Sequence, residues 1–191
     1  MLKKGNRVIG FITGNRFKFL EAEIVAKEYG FTLTLLSYPK LEIQAADLRK
    51  IVLFSLVELI SRLDNRPIVV EDSGLFIEAL KGFPGPYSSY VYKSIGCKGI
   101  LKLLKDVPPP RRATFRSCVA YHDGSGNILI TEGICEGFIS TDERGKGGFG
   151  FDPIFMPKGS GGRTFAEMSP NEKNRYSHRA KAFRELFSRL M

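Results

Sequence analysis

The chain has 191 residues, 43% hydrophobic and 26% charged, enough to bury one substantial core or two closely joined lobes. No apolar run approaches the roughly 20 residues that a membrane span requires, and no signal-peptide core follows Met1-Leu2-Lys3-Lys4-Gly5-Asn6, so a cytoplasmic protein with no membrane partner is expected. The net charge of +9 is spread from Lys3 to Arg189 rather than gathered into a block, which argues against a nucleic-acid partner.

Cys97, Cys118 and Cys135 make an odd number with no zinc-type spacing, so buried or free thiols in a reducing compartment are expected. In chain order, Arg7–Thr13 reads as a buried strand that ends in the turn Thr13-Gly14-Asn15. Asn15 can cap a helix from Arg16 to about Glu28, closed by Gly30. Phe31–Leu36 returns as a strand, and Asp47 is placed to cap a long helix over Leu48–Leu63. Pro67–Val70 reads as a third, short strand running into Glu71-Asp72-Ser73-Gly74, whose plainer reading is a strand-terminating turn. Strand, helix, strand, helix, strand predicts an α/β sheet with crossover connections.

Beyond the rigid turn Pro84-Gly85-Pro86-Tyr87, two helical segments are expected near Ser88–Ile95 and Gly99–Lys105. Ala113–His122 and Ile128–Gly137 alternate like antiparallel strands across the turn 123–127. Ser169-Pro170-Asn171-Glu172 has capping-box spacing with proline at the first helical position, and the helix is expected to continue through Ser177-His178-Arg179 to Met191.

Several stretches carry candidate chemistry. Thr13-Gly14-Asn15-Arg16-Phe17-Lys18 lies where a strand meets a helix, a common phosphate position in α/β proteins, although a plain capped turn has the same residues. The adjacent carboxylates of Glu71 and Asp72, beside the Ser73 hydroxyl, match hard-cation chemistry. Mg²⁺ takes oxygen ligands and binds through one or two carboxylates plus substrate phosphates. Glu42, between apolar neighbours, is another acid placed either at a site or in solvent. Gly145-Lys146-Gly147-Gly148-Phe149-Gly150-Phe151-Asp152-Pro153 interleaves glycines with aromatics, which suits a flat heteroaromatic ring; the plainer reading is a glycine turn carrying two core phenylalanines. Lys173, His178 and Arg179 offer donors for phosphate or carbonyl oxygens, or else an ordinary basic helix surface. Ser177 beside His178 has no dyad spacing, and His122-Asp123 belongs to a hairpin turn, so a serine hydrolase is not indicated.

These motifs, with Phe83-Pro84-Gly85-Pro86-Tyr87-Ser88 and Thr164-Phe165-Ala166-Glu167-Met168 in order between them, resemble the inosine triphosphate pyrophosphatase family from Thr13 to Arg179. The resemblance implies an elongated, two-lobed α/β fold around a long mixed sheet flanked by helices, a single domain over 1–191 with a central nucleotide cleft, and a homodimer. It also implies Mg²⁺-dependent hydrolysis of non-standard purine nucleoside triphosphates (ITP, dITP, XTP) to monophosphate and pyrophosphate. By position, Thr13, Gly14, Asn15 and Lys18 would hold polyphosphate, Glu42 and Asp72 the metal, and Asp72 would also accept the proton of the attacking water. Ser73 would contact substrate, Phe149, Gly150, Phe151 and Asp152 would surround base and sugar, and Lys173, Ser177, His178 and Arg179 would reach phosphate and base edge. Ser55 stands where such proteins carry a lysine in the second helix, leaving Arg49 or Lys50 to supply that charge. The competing readings are a pyrophosphatase for other modified nucleotides and a module that binds nucleotide or RNA without hydrolysis.

Overall fold

A computed structural model describes residues 7–63 and 66–191; the segment Met1–Asn6, read above for a leader, lies outside them. In chain order the elements are β1 (Val8–Ile12), α1 (Arg16–Glu28), β2 (Thr32–Leu36), α2 (Leu48–Ile60), β3 (Ile68–Ile77), β4 (Pro84–Gly85), α3 (Ser88–Leu103), β5 (Arg111–His122), β6 (Ile128–Ile139), β7 (Phe155–Pro157), α4 (Pro170–Tyr176) and α5 (His178–Leu190). The strands form one mixed sheet in the order β2-β1-β3-β5-β6-β7, with β4 paired to β3. Strand β1 runs parallel to both β2 and β3, pairings that need the crossover helices α1 and α2. The β3–β4 and β6–β7 pairs are antiparallel. The expected α/β class with a long mixed sheet and flanking helices is therefore what the chain adopts. Among the described residues no helix is long and apolar enough to cross a membrane.

The chain divides into two compact units. The first takes the chain through Asp72, then Ser117–Gly133 and Arg179–Met191; the second takes Ser73–Arg116 and Ile134–His178. The first unit's core gathers Ile9 and Phe11 of β1, Val25 of α1, Val119 of β5 and Phe183 and Phe187 of α5. Here Phe11 meets Phe183 with ring centroids 5.3 Å apart, and Phe31 stacks on Phe187 at 5.0 Å. The second unit's core is built from Leu75, Ile77, Ile100, Phe115, Phe155 and Phe165. Removing each such side chain from water contributes about 1.5–3 kcal/mol, so each unit has its own hydrophobic support.

The predicted helix starts hold. The Asn15 side chain accepts from the amides of Phe17 and Lys18 at 2.9 and 3.2 Å, and Asp47 accepts from Arg49 at 2.9 Å. The two expected helical segments of the middle region are joined in α3 across a kink at Gly96 (φ 62°, ψ −166°). Two expectations fail. Strand β3 does not stop at Val70 but runs on to Ile77, so Glu71-Asp72-Ser73-Gly74 lies within a strand instead of a turn. The polar run looks like a break, but Leu75 and Ile77 resume a fully buried pattern and Leu75 pairs with Gly85 of β4. The C-terminal helix is also not continuous: Ser177 is extended (φ −63°, ψ 141°), ending α4 before α5 begins. The boundary between the two units falls just after this break, between His178 and Arg179.

The β3–β4 approach is close enough to exclude any side chain at residue 74. A Cβ there would lie 2.2 Å from the Gly85 carbonyl oxygen. Gly74→Ala is expected to cost about 1–3 kcal/mol, as overpacking against backbone does. Denaturant unfolding of the variant beside the parent protein measures it, and an unchanged midpoint would contradict this packing.

Candidate active site

In the first unit, the turn after β1 presents Thr13, Gly14, Asn15 and Lys18. The Thr13 hydroxyl oxygen accepts from the Asn15 amide at 3.1 Å, while Asn15 caps α1; the helix start is thus ordered before any ligand arrives. One turn into α1, the Lys18 ammonium lies 2.9 Å from Glu71 Oε2 and 3.6 Å from Asp72 Oδ1. Glu71 is completely buried, and it is held from its other side by the Ser117 hydroxyl (2.7 Å) and by Arg179 Nε (3.1 Å). Arg179 Nη1 also donates to Glu21 of α1. The result is a chain of charge from α1 through β3 to α5, two cations against three carboxylates, with Glu21, Glu71 and Arg179 buried and Lys18 and Asp72 half-buried.

The electrostatics separate the two neighbouring acids. Burial alone would raise the Glu71 carboxyl, but Arg179, Lys18 and the Ser117 hydrogen bond hold it well below the usual carboxylate range. Asp72 moves the other way: burial raises its pKa, and Glu71 and Glu42 add to the rise against the opposing pull of Lys18 and Lys40. For Lys18, burial favours the neutral amine, yet Glu71 and Asp72 outweigh it and the ammonium is stabilised. Glu71 is therefore a fixed anion with its oxygens committed to partners. Asp72 is the acid that still gains from a cation.

The donor set fits a hard divalent ion only in part. Among the described residues no group of three or more His, Cys, Asp or Glu could hold a metal alone. Asp72 supplies one oxygen ligand. Glu42 lies within its electrostatic reach, although Glu42 is exposed and pairs with Lys40 at 2.6 Å. An ion here would complete its shell with phosphate oxygens and water, the habit of Mg²⁺. Ser55 is buried, with its hydroxyl donating to the Leu41 carbonyl at 2.7 Å, so it ties α2 to the segment preceding Glu42. Arg49, a candidate replacement for the missing lysine, pairs with Glu132 at 3.3 Å.

The second unit assembles the aromatic stretch. Asp152 is buried and accepts from the Phe149 amide at 2.8 Å and the Lys173 ammonium at 2.5 Å. That folding-back requires glycine at 148, where φ is 71° and a Cβ would sit 2.1 Å from an Asp152 carboxylate oxygen. Lys173 is itself buried, its ammonium 4.7 Å from the Phe149 ring centre and 5.2 Å from that of Phe165. Phe151 packs into the core with Tyr92 edge-on at 5.4 Å, whereas Phe149 and Gly150 are half-buried. His178 stacks on Phe115 with centroids 4.6 Å apart and an interplanar angle of 8°. Ser177 is buried, and Ser73 is half-buried in β3.

Thr13, Asn15, Lys18, Asp72 and Arg179 thus come together in the first unit, and Phe149, Asp152, Lys173 and His178 in the second. Lys173 and Arg179 are buried ion-pair partners, not members of a basic surface. Glu21 and Ser117 were not anticipated. Glu21 stands three residues after Lys18, a helical spacing that puts both on one face, and this was the available signal. Nothing local marks Ser117, which reaches Glu71 only through the strand order of the sheet.

A model of the Ham1 family matches residues 9–189. The chain is 47% identical over 180 residues to a protein of Hyperthermus butylicus named dITP/XTP pyrophosphatase, covering 94% of this chain and 93% of that one. It is 50% identical over 179 residues to a Thermococcus kodakarensis protein of the same name, covering 93% and 94%. Among solved structures it is similar to a HAM1 protein from Coxiella burnetii (TM-score 0.77, 28% identity, 96% of this chain and 98% of that one). It is also similar to a nucleoside-triphosphatase, dITP/XTP pyrophosphatase, from Mycobacterium abscessus (TM-score 0.71, 31% identity, 94% and 98%). With the motif order, the mixed sheet and near-complete coverage in agreement, this chain belongs to the Ham1 family.

Proposed function

We propose that the protein is a nucleoside-triphosphate pyrophosphatase that hydrolyses non-standard purine nucleotides (dITP, XTP and ITP) to the monophosphate and pyrophosphate, with Mg²⁺, as a cytoplasmic homodimer. The observation that carries the reading is the Lys18–Glu71–Arg179 chain with Asp72 beside it, at the capped start of α1. The names of the relatives supply the reaction class.

In this reading Lys18, the Thr13 hydroxyl and the Asn15 side chain meet the polyphosphate, and the amides at the start of α1 add partial positive charge. Water attacks the α-phosphorus: a new P–O bond forms, the bond to the bridging oxygen breaks, and pyrophosphate leaves with its electron pair. Asp72 takes the water proton. Its raised affinity for a proton, set by burial and its acidic neighbours, suits a base better than the committed Glu71. Mg²⁺, when bound by Asp72 and Glu42, supplies charge neutralisation on the phosphate oxygens. No covalent nucleophile is required.

Base selection is assigned to Phe149, Gly150, Phe151 and Asp152, with Lys173, Ser177, His178 and Arg179. Hypoxanthine and xanthine carry an oxygen at position 6, where adenine carries an amino donor. Donors from His178 or the backbone amides of the glycine stretch satisfy that oxygen and face adenine unpaired. Such mismatches discriminate by about 10⁴.

Asp72→Asn keeps the shape and removes the charge; its turnover with dITP is expected to fall at least about a hundredfold. Near-parental pyrophosphate release by that variant would remove Asp72 from the mechanism. Chelating divalent ions from the parent protein should abolish pyrophosphate release and added Mg²⁺ should restore it; activity that survives chelation would rule out the metal. Across dITP, XTP, ITP, GTP and ATP, kcat/KM should favour the first three over ATP by about 10³–10⁴. Equal values would defeat base selection, and binding without pyrophosphate release would leave a nucleotide-binding module instead of an enzyme.

A further inference from the structure

The second unit contains a groove of about 790 Å³, lined by β3, β5 and β6, that shares no residue with the candidate active site. On β5, Ala113 and Phe115 are buried in the core, so the alternating Arg112, Thr114 and Arg116 share the opposite face. Strand rise sets the two arginine Cα atoms about 13 Å apart with the threonine hydroxyl between them. Phe76 and Phe138 are partly buried beside this row, and Lys81 stands at its edge.

The charges in the groove are unbalanced. Among the described residues Lys81, Arg112 and Arg116 have no ion-pair partner. The Arg116 guanidinium lies 4.6 Å from the centre of the Phe76 ring, a stacking that orients its planar fork without neutralising it. Of the two acids lining the groove, Glu136 is engaged by Lys158 at 3.7 Å, which leaves Glu78 as the only other one. Three cations against one acid leave two positive charges along an extended row. A second copy of the chain would set like charge against like charge. Single-stranded nucleic acid would want open aromatic faces, and Phe76 is already covered by Arg116. The volume is in the range of small-molecule sites.

We propose that this groove is a second anion site that takes an extended polyphosphate, either inorganic pyrophosphate or the triphosphate tail of a nucleotide, with Arg112 and Arg116 gripping its two ends, Thr114 donating between them and Lys81 closing the edge. The site acts independently of Asp72 and Lys18.

The test is calorimetric titration of the parent protein with pyrophosphate and separately with α,β-methylene-ATP, read for an equivalent that the groove adds to the candidate active site. One such further saturable equivalent per chain is expected, at least tenfold weaker in Arg112→Gln/Arg116→Gln and restored in part by Arg112→Lys/Arg116→Lys. Both arginines are exposed, so the glutamine variant is expected to fold, which its thermal unfolding curve checks. Whichever probe binds more tightly names the source of the polyphosphate. Binding unaffected by the glutamine substitutions, or no saturable binding, overturns the proposal. So does a change of molar mass by light scattering in the glutamine variant, which would make the groove an interface between copies. Pyrophosphate release by the parent protein is a separate measurement, so loss of this site and loss of the enzymatic reading are distinguishable.

Discussion

The ion chain Glu21–Arg179–Glu71–Lys18 is the constraint on which the first unit depends. Charge taken out of water is tolerated only when each ion is met by partners, and removing one member of a buried pair costs about 3–5 kcal/mol because the other is left uncompensated. Here the demand is met from three elements: α1 supplies Lys18 and Glu21, β3 supplies Glu71, and α5 supplies Arg179. Ser117 on β5 adds a hydrogen bond to the same Glu71 oxygen that Arg179 holds. Charges from three elements and a hydroxyl from a fourth meet here, so the register of each element is tied to the others. Asp72 stands at the edge of this arrangement, 3.6 Å from the Lys18 ammonium and half-buried.

The second unit solves a smaller version of the same problem. Asp152 and Lys173 neutralise one another under cover, and the Lys173 ammonium lies near the faces of Phe149 and Phe165. An ammonium over a ring is attracted by the ring's quadrupole, so one cation positions two aromatics and a carboxylate together. The glycines allow the carboxylate to turn back onto the Phe149 amide. A flexible loop in the sequence becomes, by these contacts, an ordered shelf with Phe149 and Gly150 partly open and Phe151 locked in the core.

Much of the fold is legible in the chain because its signals are local. Asn15 and Asp47 announce helix starts by their own side-chain chemistry, and the hairpin is marked by Asp123, whose carboxylate accepts from the amides of Ser125 and Asn127 at 2.7 and 3.1 Å. The glycine between two helical segments shows up as the kink at Gly96. The failures come where a distant partner overrides the local pattern. Glu71-Asp72-Ser73 has the polarity of a turn and is held in a strand because Lys18, Arg179 and Ser117 satisfy its buried acid. The basic run at the C-terminus reads as one solvated helix, but Ser177 breaks it, and Lys173 and Arg179 are drawn into the interior by carboxylates far away in sequence.

The sequence by itself determined the family and most of the element types, since capping, periodicity and motif order are properties of neighbouring residues. Only the tertiary structure decided what each charge does. Asp72 and Glu71 are adjacent acids of the same kind on paper, and what lowers the pKa of one and raises that of the other is the set of charges and hydroxyls that folding brings to each. Arg179 comes to Glu71 from 108 positions away. No local pattern records it, because the energy of a buried charge depends on every group that surrounds it.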